Sequence, residues 1–396
     1  MTYKRAMAFS KTILQVIPAM EAGGAERTTL EMTCAIIKAG GGAIVATSGG
    51  RMTGAVEAAG GRVALLPVQS KNPLEIVANA SRLSALIRAE NVDLIHARSR
   101  APAWSALLAA RRTQIPFVTT WHGAYRAGTP WKRLYNSAMA RGDLVIANSA
   151  FTAAAIRAAG DPGARLKIIH RGADIDEFNP QRVTQSRIEA IEGTWALGTP
   201  RPFALLLPAR LTDWKGHGLA IEALRRLTTA GRSGADGDLR LIFVGDAQGR
   251  GGFASSLLRR VEDLGLERMI RFAGHCDDMP AAYAAADAVL SPSTRPEAFG
   301  RVAAEAGAMG RVAIAANHGG ARETIADADT GFLVEPGSAD ALADAIRRTI
   351  DLGADGRAAM GARARSRITQ SFSTAAMTAA TLAAYQSVLD DWPPAS

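Results

Sequence analysis

Cysteine is scarce in this chain, with two in 396 residues. Cys34 and Cys276 fall in opposite halves, so they offer neither a disulfide framework nor the close spacing of a metal site. Both are expected to be reduced packing residues of a cytoplasmic protein. Long apolar runs are missing too, and none approaches the roughly 18 residues that cross a bilayer. The stretch after Lys4 and Arg5 is broken by Lys11, and residues 13–18 read as a short strand entering a glycine turn rather than a signal peptide. No basic block is interleaved with aromatics, and there is no helix-turn-helix or RNA-binding signature, which argues against a nucleic-acid partner. The net charge of +9 therefore suits a solvated basic surface, or else phosphates. Those phosphates would be a nucleoside diphosphate in a site and an anionic membrane that holds the protein peripherally through salt-sensitive contacts.

What the chain does have is alternation. Apolar runs at 12–18, 43–47, 62–66, 93–96, 115–120, 143–147 and 166–169 are separated by helical patterns such as 26–39, 73–89, 101–112 and 150–158. That rhythm predicts a parallel, doubly wound sheet, because parallel strands need crossover helices. It stops at a polar stretch with Pro180, Pro200 and Pro202, then restarts with runs at 203–208, 239–244, 269–272, 288–290, 311–314 and 332–334. About fifty helical residues finish the chain. Two Rossmann-like α/β domains are expected, at 1–180 and 202–372, facing across a cleft. A linker would span 181–201, and a C-terminal helix, 373–396, would be free to return to the first domain. Ligands of such sheets bind beyond the carboxyl ends of strands, so the loops just after strands matter most.

Four of those loops stand out. Gly23-Gly24 follows the first strand and opens a helix whose free N–H groups suit an oxygen-rich ligand, although a plain tight turn would also use two glycines. It is not a Gly-x-Gly-x-x-Gly fingerprint, which argues against a dinucleotide-dependent dehydrogenase. His122-Gly123 follows the strand ending near Thr120, where a histidine meets either a substrate or a backbone carbonyl. Arg210 and Lys215-Gly216 follow the first strand of the second half, as a diphosphate clamp or as surface cations. Pro296-Glu297-Ala298-Phe299-Gly300-Arg301 leads to Glu305, setting two carboxylates on either side of a helix N-terminus.

Taken in order, Gly23-Gly24, His122-Gly123, Arg210 with Lys215-Gly216, and Glu297-x7-Glu305 with its Phe-Gly step resemble family 4 of the glycosyltransferases. His170-Arg171-Gly172-Ala173-Asp174 through Phe178-Asn179-Pro180 also resembles the family's domain-closing Asn-Gly-Val-Asp segment, with His and Arg where Asn is usual. The resemblance spans nearly the whole chain. It implies the GT-B fold, a retaining transfer of a hexose from a UDP- or GDP-linked sugar, and no cofactor. By this resemblance Glu297 would touch the transferred sugar near the reacting carbon, and Glu305 would hold the ribose. Arg210 and Lys215 would grip the diphosphate, while the amides of Phe299, Gly300 and Arg301 assist and Gly23 and Gly24 close over them. His122 would contact the sugar near its 6-position, and the His275-Cys276 loop would meet the base through its backbone.

For the acceptor the resemblance points to the first domain. Arg98, Arg100 and Arg126 there suit a phosphorylated or acidic glycolipid, such as lipopolysaccharide core, or else are helix-capping surface arginines. Asp174-x-Asp176 and Asp327-x-Asp329 resemble metal-binding pairs, but so short a motif is expected by chance, the first belonging to the domain-closing segment and the second to a turn before Gly331, so no metal site is expected. A GT-B nucleotide-sugar epimerase, or a non-catalytic envelope-assembly or lipid-binding subunit, are the other readings of the chain.

Overall fold

The computed structural model describes residues 9–21, 23–123, 129–159, 165–229, 239–247 and 251–393. Its strands are the Val-, Ile- and Leu-rich runs of the sequence, apolar on both faces because helices cover both sides of a parallel sheet. In the first sheet β1 (Thr12–Val16), β2 (Gly42–Thr47), β3 (Arg62–Leu65), β4 (Leu94–Ala97), β5 (Phe117–Trp121), β6 (Leu144–Ala147) and β7 (Arg165–Ile168) lie in the order β3-β2-β1-β4-β5-β6-β7. In the second, β8 (Phe203–Pro208), β9 (Leu239–Val244), β10 (Ile270–Gly274), β11 (Ala288–Ser291), β12 (Val312–Ala316) and β13 (Gly331–Val334) lie in the order β10-β9-β8-β11-β12-β13. Every pairing is parallel among the described residues. Each sheet reverses its strand order once, between β1 and β4 and between β8 and β11.

The chain divides into one unit of Met1–Arg171 with Ala375–Ser396, and another of Gly172–Thr374. Helix Thr374–Asp390 brings Met377, Ala384, Tyr385 and Val388 into the first unit's core beside Ile13, Met32, Leu94 and Val118. Its anchor is polar as well as apolar. Tyr385 Oη lies 2.6 Å from His96 Nδ1, and His96 Nε2 lies 2.8 Å from Thr120 Oγ1, all of them buried.

The linker expected at 181–201 is not one. It contains helix Gln185–Trp195, and its boundary role falls instead at Arg171/Gly172. Ile188, Ile191 and Trp195 share one helical face at i, i+3 and i+7, and Trp195 is buried in the second unit's core. A bidentate pair between Arg187 and Asp278 holds the same helix. Flanking prolines and one narrow apolar stripe in a polar stretch hid it. Cys34 is also corrected: it sits on the exposed side of helix Gly24–Lys38, while Cys276 is half-buried.

Candidate functional site

Beyond the carboxyl ends of β8 and β11, at the second sheet's reversal, two loops are drawn together. Gly216 makes the approach possible. Its φ of +83° favours glycine, and a β-carbon there would overlap the Pro292 carbonyl oxygen of the β11 loop. Thr294 N–H donates to the Trp214 carbonyl at 2.8 Å, tying the same loops a second time. Lys215 is thereby fixed with Nζ 2.8 Å from Glu297 Oε1, and their side chains are only 13% and 18% exposed. The ammonium also lies 4.4 Å from the centre of the Trp214 ring.

Glu297 is held from a third loop, which the sequence reading passed over. After β12, Gly320 N–H donates to the Glu297 carbonyl at 2.9 Å. Gly319, with φ +60°, lies so close under the Glu297 backbone that a β-carbon would overlap it. His318 Nε2 lies 2.8 Å from the Ser293 carbonyl, which can only accept, so Nε2 carries the proton. Ser293 Oγ in turn donates to Glu297 Oε1 at 2.5 Å. Lys215 and Ser293 thus converge on Oε1, and among the described residues no donor meets Oε2. The detectable signal was His318-Gly319-Gly320 at a strand's carboxyl end. Beneath Lys215, His217 is buried edge-on against the Phe243 and Phe253 rings, and burial pushes its pKa down to about 4.

Gly300, at φ +80°, caps helix Arg301–Ala308 with no side chain to satisfy its first amides, as an anion-binding terminus requires. One turn in, Glu305 is held at both oxygens. Oε1 pairs with Arg301 at 3.0 Å, and Oε2 accepts from Tyr283 Oη at 2.9 Å. Burial, then the Glu305 charge, push the Tyr283 hydroxyl well above its ordinary pKa, so it remains a donor. Tyr283 gave no sign in the sequence, because a lone tyrosine in an alanine-rich helix reads as packing. Phe299 contributes backbone only, since its ring is buried against Phe372. Arg210 is exposed on the β8 loop. His275, exposed and 2.9 Å from Asp277, and half-buried Cys276 follow β10; burial pushes the Cys276 thiol's pKa up.

In the first unit, Gly23 and Gly24 begin helix Gly24–Lys38, again without a side-chain cap. A β-carbon at Gly23 would overlap the Glu26 carboxylate, and one at Gly24 the Arg171 guanidinium. His122 follows β5, with Nδ1 3.0 Å from Arg171 Nη2. Arg98 differs from the expected accessible cation. It is 2% exposed, its guanidinium donating to Gln15 Oε1 at 2.6 and 3.0 Å, because the residue after β4 turns into the core. Arg100 donates to Asn136 at 3.3 Å, and Arg126 lies outside the described residues.

Both aspartate pairs serve turns. Asp174 accepts from the Asp176 and Glu177 amides at 3.0 Å, Asp327 accepts from the Leu333 amide, and Asp329 pairs with Arg363. Among the described residues no three His, Cys, Asp or Glu side chains group as a metal site.

Residues 196–367 match the family model described as Glycosyl transferases group 1, and residues 22–177 match Glycosyltransferase Family 4. The chain spans about half the length of the first curated relatives it matches. A longer match is 31% identical over 301 residues, 72% of this chain and 74% of the relative. That relative is the GDP-mannose-dependent alpha-(1-6)-phosphatidylinositol monomannoside mannosyltransferase of Mycolicibacterium smegmatis. Among solved structures, a glycosyltransferase from Rickettsia africae ESF-5 is 34% identical with a TM-score of 0.89, covering 96% of this chain and 99% of that one. Anabaena Alr3699/HepE in complex with UDP is 25% identical with a TM-score of 0.83, covering 95% of this chain and all of its own. The architecture is GT-B.

Proposed function

Because this chain belongs to the glycosyltransferases of group 1 and family 4, we propose that it transfers a hexose from a nucleoside-diphosphate sugar to a cell-envelope glycan or glycolipid, retaining the anomeric configuration. The observation that carries this reading is the Lys215–Glu297 pair, 2.8 Å apart at the sheet's reversal and beside an uncapped helix terminus. A cation and a carboxylate there meet the two halves of a sugar nucleotide, the diphosphate and the sugar hydroxyls. The UDP bound by the Anabaena neighbour and the GDP-mannose in the mycobacterial relative's name support a nucleoside-diphosphate donor.

Lys215 and Arg210 hold the diphosphate, with the helix that starts at Arg301 adding roughly half a positive charge. A cation about 4 Å from the leaving phosphate is worth roughly 4 kcal/mol per unit charge at an effective dielectric near 20. Two cations and a helix end therefore stabilise the departing charge without a metal ion. Glu297 Oε2 takes a sugar hydroxyl near the reacting carbon, while Lys215 and Ser293 keep the carboxylate oriented. Glu305, fixed by Arg301 and Tyr283, takes the ribose hydroxyls. Among the described residues no carboxylate is set aside as a nucleophile, so displacement runs from the front face, the leaving phosphate helping to deprotonate the acceptor. Catalysis is then positioning and charge stabilisation.

The acceptor side belongs to the first unit, with a phosphorylated or acidic glycolipid, of the lipopolysaccharide-core type, on a protein docked peripherally at the inner face of the cytoplasmic membrane. Thermal shift against a panel of UDP- and GDP-sugars tests the donor class, because only a ligand of the folded state raises the melting temperature. One sugar nucleotide should stabilise more than its bare nucleoside does. A panel with no such ligand would overturn the proposal.

A further inference from the structure

Arg171 stands where the domain-closing segment departs from its usual pattern, and its guanidinium meets two features of the first unit at once. Nη2 lies 3.0 Å from His122 Nδ1. Nη1 occupies the space that a β-carbon at Gly24 would need, at the start of helix Gly24–Lys38. Glycine at 24 is thus the complement of arginine at 171.

A guanidinium offers only N–H donors and keeps its proton throughout the working pH range. His122 Nδ1 must therefore be the acceptor, and a neutral imidazole with a bare Nδ1 carries its proton on Nε2. An imidazolium would set Nδ1–H against a guanidinium N–H, cation facing cation. Burial first, then the charges of Arg171 and Arg98, hold the His122 pKa well below the ordinary histidine value. Nε2 is itself buried, and among the described residues nothing accepts from it. A buried N–H without a partner is destabilising, and a ligand oxygen would satisfy it.

We propose that Arg171 is a positioning residue that locks His122 in its Nε2–H tautomer, making the ring a fixed hydrogen-bond donor to a substrate oxygen and barring it from service as a general base. The identity of that oxygen, a sugar hydroxyl, rests on the glycosyl-transfer reading. The tautomer does not.

Ring-nitrogen NMR of protein labelled with 15N-histidine tests both parts. The chain has six histidines, and His122→Ala assigns the signals of interest. In the wild type His122 should show a protonated Nε2 and a bare Nδ1, unchanged from pH 8 down to pH 5. In Arg171→Met the ring should become a tautomer mixture and begin to titrate. Arg171→Lys, which keeps a charged donor, should restore much of the wild-type pattern. The other five histidines report whether each variant is folded. Transfer by Arg171→Met should fall about tenfold in kcat, the worth of one well-placed donor, with nucleotide affinity unchanged and Arg171→Lys partly rescuing. A protonated Nδ1 in the wild type, or a pattern indifferent to Arg171→Met, would overturn the assignment. Locked nitrogens in a protein that turns over no sugar nucleotide would support the lock and sink the transfer reading alone.

Discussion

Glu297 and Glu305 look alike in the sequence, and their surroundings separate their work. Glu297 has one oxygen taken by Lys215 and Ser293 and the other open, whereas Glu305 has both held, by Arg301 and Tyr283. Glu297→Gln keeps the shape but removes the charge proposed to face the sugar, so transfer should be nearly abolished while nucleotide affinity stays within a few fold. Glu305→Ala removes the proposed ribose contact and should weaken binding of nucleotide and sugar nucleotide alike. Isothermal titration with nucleotide, beside initial rates, separates the two. Normal turnover by Glu297→Gln, or undisturbed nucleotide binding by Glu305→Ala, would reverse these roles. Both glutamates were legible because a helix N-terminus between two carboxylates is a local pattern. Ser293 lies four residues before Glu297 in the same loop, but His318 and Tyr283 come from a separate loop and a neighbouring helix, so no spacing announced them.

Among the helices, Pro130–Ser137 presents the least expected surface. Trp131 is 81% exposed and Leu134 50%, three residues apart on one face, and Lys132 and Arg133 between them are exposed too. An indole beside cations suits the headgroup region of an anionic bilayer, where the ring is half dehydrated and the charges meet phosphate. No described helix is long and apolar enough to cross a membrane. In the proposed peripheral attachment, this helix would add an apolar share to the surface charge. Flotation with anionic liposomes should fall when salt reaches several hundred millimolar but retain a fraction that Trp131→Ser removes. Complete loss in salt, or indifference to Trp131→Ser, would remove this helix from the membrane. Helix Gln185–Trp195 shows the opposite disguise, since an element mistaken for linker carries one of the largest fully buried side chains, Trp195.

For the whole molecule, two conditions separate chemistry from stability. Metal-stripped enzyme should transfer sugar at the same initial rate with and without excess EDTA, since Arg210, Lys215 and a helix end are proposed to supply the positive charge. Activity abolished by EDTA and restored by magnesium or manganese would return the aspartate pairs to consideration. Stability should depend on pH through buried histidines. Burial lowers the pKa of His96, His122 and His217 below the ordinary 6.5, so the unfolded chain binds protons first as pH falls. Stability is therefore full above about pH 6.5 and declines below it, by up to about 1.4 kcal/mol per pH unit for each ring. His217, with a pKa of about 4, should cost about 3 kcal/mol by that pH. Glu222, held down to about 2 chiefly by Arg225 and Arg226, adds its own loss only below its ordinary 4.5. Urea midpoints at pH 7.5 and 5.0 should differ accordingly, and His217→Phe should flatten the slope. Equal midpoints would mean these rings are not buried neutral.

The sequence by itself determined the two parallel sheets, most of their strands and the loops that carry the site. Apolar alternation and glycine placement are properties of short segments, and they survive any rearrangement of distant parts. Only the tertiary structure decided which side chains those loops share. The β8, β11 and β12 loops meet because the second sheet orders its strands β8-β11-β12, and the return of helix Thr374–Asp390 to the first unit sets Tyr385 against His96. Arg98 was misjudged for the same reason. A charge after a strand reads as exposed until Gln15 and Tyr385, 83 positions before it and 287 after, supply the partners that let it stay buried.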